Sequence, residues 1–355
     1  MLAAITDFFE EMMFKRVFGV ALFLLFSCSQ LPAQSESSPI LSGGVQFLST
    51  TNGGVTFFQP TIAPVLVAPL GDHWLFESRV TVDEFVGREN GATGPYHANT
   101  LTSIDYLQLS YIVNPHLTVT VGEFLTPFNI YNERLSPVWI HNVADAPSIA
   151  GIGTRTSGSS DGAMVRGVAV SHKDWELQYT AYFSALVDGG KFGAGRTAGT
   201  RVGVFLPRTR LEVGMSYQRF LQDLHLNSWG AYAVWQPYAA PVEMRAEYAH
   251  TRGGQGYWLE GTYRFSKFHG PTSLLGRLQA IGRVQQFYLG TPSPDDVIPG
   301  VDTQRVDFGL NYYLPHNFRV NGTFGRQFSA FGNSNIWNFQ LTYRFLFPLL
   351  PGGSK

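Results

Sequence analysis

Between residues 40 and 347 the chain runs in segments of about ten residues in which apolar and polar side chains alternate with a period of two. That period puts successive side chains on opposite faces of an extended backbone, so each segment reads as a β-strand with one apolar and one polar face. The last is the clearest. Trp337, Phe339, Leu341, Tyr343 and Phe345 share one face, and Asn338, Gln340, Thr342 and Arg344 share the other. Residues 304–314 and 175–184 repeat the pattern. Sixteen such segments are predicted, at 40–50, 55–69, 74–86, 100–114, 117–125, 163–171, 175–185, 200–206, 211–221, 226–236, 242–252, 256–267, 273–288, 304–314, 318–328 and 336–347.

Alternation alone does not say which face meets solvent. A soluble sandwich turns its polar face outward, whereas a barrel in lipid turns its apolar face outward and its polar face toward a wet lumen. Composition separates the two. Only 14% of the 355 residues are Asp, Glu, Lys or Arg, while aromatics also reach 14%; soluble domains carry roughly 25% charged residues. Tyr, Trp and Phe repeatedly end the apolar faces, as an interfacial girdle does. No stretch after residue 26 reaches the roughly 18 apolar residues a spanning helix needs. The formal net charge of −1 leaves no basic face for nucleic acid.

The links also alternate. Short turns follow the even strands, at residues 70–73, 114–116, 172–174, 237–241, 268–272 and 315–317, while longer or glycine-rich links follow the odd ones, including 87–99, 126–162, 187–199 and 290–303. Short turns on one rim and long loops on the other, with an even strand count, predict an all-β, transmembrane antiparallel β-barrel of the outer-membrane kind, embedded in outer-membrane lipid with both termini on the periplasmic side. Sixteen strands enclose more space than wall side chains fill, so the interior is expected to be aqueous.

The N-terminus fits export. Lys15 and Arg16 precede an apolar run over 17–26 and a polar exit, the pattern of a signal peptide ending at Ala33. Asp7, Glu10 and Glu11 have the wrong sign for its leading region, which places the natural start at Met12 or Met13. Cys28 follows Leu25, Phe26 and Ser27, so lipidation there stands beside cleavage after Ala33; the chain has no other cysteine and therefore no disulfide. The expected organisation is a signal peptide at 1–33, a linker at 34–39, the barrel at 40–347 and a tail at 348–355.

The link at 126–162 is about 37 residues long and holds Phe128, Tyr131 and Trp139, enough aromatic surface to pack. Two readings stand: an outer lid, or a segment folded into the lumen. In the second, Glu133, Arg134, Asp145 and Arg155 form the constriction. Face assignment turns Arg79, Arg245, Arg264, Arg277, Arg283, Arg305, Arg319 and Arg344 inward, with Glu77, Asp83, Glu176, Glu212, Glu243, Glu247, Glu260 and Asp307. Signs this nearly balanced predict weak discrimination between ions, with Arg264, Arg277, Arg283 and Arg305 supplying the anion attraction; cross-strand pairing that only stiffens the wall is the alternative.

The stretches at 118–129 (TVTVGEFLTPFN), 276–288 (GRLQAIGRVQQFY) and 318–328 (FRVNGTFGRQF) resemble the phosphate-selective porin O and P family. The resemblance implies a sixteen-stranded, usually homotrimeric porin with its third loop inside. It does not carry phosphate selectivity with it, because the lysines are Lys15, Lys173, Lys191, Lys267 and Lys355, none of them in the third loop. The solutes expected are small hydrophilic molecules or anions. No HExxH, CxxC or Gly-rich phosphate loop occurs, and the histidines are scattered over the rims. No catalytic residue, cofactor or metal is therefore expected; the alternative to a weakly selective channel is a substrate-specific anion (phosphate-type) porin, and a barrel enzyme or a purely structural barrel comes after it.

Overall fold

The fold was read from a computed structural model, which describes residues 38–349 apart from 92, 153–157, 187–195, 223–224, 267–269, 271–272 and 292–297. The expected signal peptide, the start at Met12 or Met13, Cys28, most of the 34–39 linker, all but the first two residues of the tail, and Arg155 lie outside the described residues.

Sixteen antiparallel strands close into one barrel: β1 (Ile40–Asn52), β2 (Val55–Leu70), β3 (Trp74–Asn90), β4 (Thr93–Asn114), β5 (Leu117–Leu125), β6 (Ser159–His172), β7 (Trp175–Leu186), β8 (Thr197–Leu206), β9 (Leu211–Phe220), β10 (Asn227–Trp235), β11 (Val242–Thr251), β12 (Gly254–Arg264), β13 (Leu278–Leu289), β14 (Thr303–Tyr313), β15 (Phe318–Ser329) and β16 (Ser334–Pro348). Each strand pairs with its sequence neighbours, and β1 closes on β16 in the register Ile40 to Pro348. Closure matters in lipid, where an unpaired edge has no water to satisfy it.

The faces are inverted relative to a soluble protein. Along β16, Trp337, Phe339 and Leu341 are exposed on the outside, whereas Asn338, Gln340 and Thr342 are buried inside. Aromatic pairs band the exterior: Trp74 with Tyr111 at 4.7 Å and Phe318 with Tyr343 at 4.6 Å near the short turns, Trp229 with Tyr248 at 5.0 Å toward the other rim.

The largest departures from the sequence reading are three. The link expected at 87–99 is mostly strand: β3 runs on to Asn90 and β4 begins at Thr93, with Arg88 paired to Tyr96 and its guanidinium over that ring at 4.7 Å. Two strands that stand beyond lipid need no apolar face, so the alternation that marks a strand is lost there. The link after β5 ends at residue 158 rather than 162, because Glu123 pairs with Asp161 and Leu125 with Ser159. The strand expected from residue 273 begins at Leu278, after a 3-10 turn over Leu275–Arg277.

Candidate functional site

The long link between β5 and β6 enters the barrel. Its neck is tied by Thr126 N–H donating to Gly158 O at 3.0 Å and by Asn132 Nδ2 donating to the carbonyls of Thr126 and Gly158. Asn129 then turns the chain in the left-handed region, φ 53°, a conformation Asn tolerates better than most residues. Its N–H donates to Ser216 Oγ on β9, and Arg201 on β8 donates to its carbonyl.

Glu247 on β11 receives the next two N–H groups, those of Ile130 and Tyr131, each at 2.7 Å, and the Trp258 indole N–H at 2.9 Å. It thereby satisfies two of the open donors at the start of the short helical turn Tyr131–Leu135. Apolar packing seals this half. Phe128, Ile130, Leu135, Ile149 and Ile152 of the loop meet Tyr232, Ala249, Trp258 and Phe287 of the wall.

Charge fixes the remainder. Glu133 lies between Arg166 Nη1 at 2.6 Å and Arg201 Nη2 at 2.7 Å. Burial pushes its carboxyl up, but the two guanidiniums outweigh this and hold it below the usual carboxylate range. Arg134 grips both oxygens of Glu212, at 2.7 and 2.8 Å. Asp145 bridges Arg283, at 3.0 Å, and Arg305, while Asp307 backs both arginines. Burial likewise raises Asp145 and the same two arginines pull it lower overall. Farther round, Asn142 donates to Glu260, Arg79 to Ser136, Arg319 to the Val138 carbonyl and Asn321 to the Asn142 carbonyl. His141 hydrogen-bonds Tyr131; burial first, then Arg319, Arg283 and Arg245, bring its pKa down to about 4.

The loop thus touches β1, β3, β6 and β8 through β16. Every one of the sixteen strands carries at least one inward side chain under 10% exposed, from Gln46 on β1 to Gln340 on β16. Two cavities remain toward the short-turn end, sharing no lining residue: about 540 Å³ against β3 to β8, and about 570 Å³ against β11 to β16.

Of the residues singled out from sequence, Glu133, Arg134 and Asp145 stand in the loop against the wall. Arg79 is paired with Asp105, Arg245 with Glu243 and more loosely Glu260, and Arg283 and Arg305 with Asp145 and Asp307. Arg264, Arg319 and Arg344 line the larger cavity. Arg277 ends the 3-10 turn before β13 instead of standing within the strand. Arg166 and Arg201, which clamp Glu133, were absent from the sequence-derived set although their parity on β6 and β8 marks them as inward. No periodicity marks Gly44 or Gly230. A Cβ at either would overlap the loop, at Trp139 and Asn129 respectively.

Among solved structures the chain is similar to Pseudomonas putida OprB at high pH (10% identity, TM-score 0.59, covering 87% of this chain and 94% of that one). It is also similar to Salmonella typhi OmpF in complex with daunomycin (14%, TM-score 0.57, 87% and 97%) and to an anion-selective porin from Comamonas acidovorans (10%, TM-score 0.56, 87% and 100%). No protein-family model matches the chain, and no curated protein matches it in sequence. At these identities the likeness is one of fold alone.

Proposed function

We propose that the protein is an outer-membrane channel through which small hydrophilic solutes and ions diffuse past the inward-folded link between β5 and β6. The observation that carries this reading is the inversion of the barrel. The outside is apolar and banded by aromatics, while the inside is lined by charged and amide side chains that no folded core would need. Residues 126–158 act as the constriction, with Glu133, Arg134 and Asp145 at their contacts with the wall. Export through residues 1–33, residence in the outer membrane and homotrimeric assembly belong to the same reading; cross-linking of membranes would test the last.

Selectivity is weak and leans toward anions. A phosphate-selective path is disfavoured because the described part of the loop offers one arginine, Arg134, already held by Glu212, and phosphate needs several free cationic donors at close range. Planar-bilayer recording of the purified protein in KCl tests the reading. Stepwise conductance supports it, and an insulating barrel overturns it. Phosphate block at micromolar concentration would favour the phosphate-selective alternative. Deleting residues 132–152 is expected to raise single-channel conductance; no change would make the loop a lid.

A further inference from the structure

The two cavities flanking the loop differ in charge. In the smaller one Arg134, Arg166 and Arg201 are each neutralised, by Glu212 or Glu133. The larger holds Arg210, Arg245, Arg264, Arg319 and Arg344 against one carboxylate, Glu243, which Arg245 already occupies at 2.5 Å. Arg264 and Arg344 have no carboxylate partner among the described residues. Arg264 lies over the Tyr313 ring, its carbon 4.3 Å from the centroid, and its guanidinium makes no hydrogen bond among the described residues. Arg319 is buried with its Nε unpartnered. A buried donor left open costs about 1–3 kcal/mol, and clustered cations between low-dielectric walls focus their field into the space they share. The rest of the lining is mixed: Asn142, Gln279 and Asn317 are polar, while Trp139 and Ile140 of the loop, with Pro237 and Pro241 of the short-turn rim, supply an apolar face.

We propose that this cavity of about 570 Å³ is a binding site for an organic anion, its charged head held by Arg264, Arg319 and Arg344 and its apolar body against Trp139 and Ile140. The volume suits a small ligand. Its place in transport rests on the channel reading above, whereas binding itself does not. Ligand held here sits at the short-turn end, beyond the contacts of Asp145 with Arg283 and Arg305, so the site favours one class of solute without making the whole pore selective.

Calorimetric titration of the detergent-folded protein separates the two readings. Benzoate should bind, acetate and inorganic phosphate should bind at least about tenfold more weakly for want of the apolar body, and benzyl alcohol should not bind for want of charge. The double substitution Arg264→Gln with Arg344→Gln should weaken benzoate about tenfold or more. Arg88→Gln with Arg326→Gln removes the same charge at the opposite rim and should leave binding intact. Benzoate binding that survives the first pair, or equal affinity for acetate, overturns the proposal. If the first pair fails to fold, shown by loss of the heat-modifiable band, Trp139→Ala replaces it and should weaken benzoate but not acetate. KCl conductance without benzoate binding would leave the channel and remove the site; binding without conductance would do the reverse.

Discussion

At the scale of single residues, the lumen is decided by which charges are already spoken for. Arg283 and Arg305 read from sequence as a basic wall, yet Asp145 and Asp307 balance them. Removing one carboxylate leaves a net positive cluster. Asp145→Asn is therefore expected to move the reversal potential in a KCl gradient toward that of chloride and to loosen loop docking by about 1–3 kcal/mol. A shift toward potassium would contradict this. His141 supplies a pH dependence of definite sign. Docked, its pKa is about 4 against 6.5 when free, so the docked loop refuses a proton that the released loop accepts. Docking loses stability as pH falls from 6.5 to about 4, by up to roughly 3 kcal/mol. Glu133 and Asp145, whose docked pKa values lie below the ordinary range, keep their contribution above that range and lose it only as pH falls through their lowered values. Conductance should rise across the histidine window in the natural protein and stay flat there in His141→Gln.

At the scale of elements, strands and loop obey different rules. A strand in lipid must alternate, and fourteen of the sixteen begin within four residues of where alternation places them; β4 starts earlier because its outer end leaves lipid, and β13 later, after the 3-10 turn. The loop has no such rule. Its path depends on glycines that let it approach the wall, at Gly44 and Gly230, and on Glu247, whose carboxylate receives two successive backbone N–H groups. Gly230→Leu should displace Asn129 and raise single-channel conductance while leaving the barrel folded. A loop that tolerates that side chain, with conductance unaltered, would show that its entrance is not held by this contact.

For the whole molecule, closure is the condition of stability. β1 pairs with β2 and β16 along its entire length, from Ile40 to Asn52. A chain ending after residue 333 would present the edges of β1 and β15 to lipid with their ladder groups unpaired. It is expected to lose the heat-modifiable, protease-resistant form on gels, and retention of that form would contradict the closed topology. The barrel, its strand count and the two unequal rims were legible in the residues, because lipid imposes one local requirement on every strand: apolar out, polar in, every two residues. Arg166 and Arg201 were missed, Arg277 fell outside its strand, and the pairing of Arg283 and Arg305 with Asp145 of the loop was not legible. Alternation states the direction of a side chain but neither its height along the pore nor what a loop more than 100 residues away in sequence brings against it. What the sequence determined by itself is the wall. What the tertiary structure alone decided is the interior, since burial and charge pairing there depend on register around a closed ring and on the path of residues 126–158, and both are fixed only when the barrel has closed around its loop.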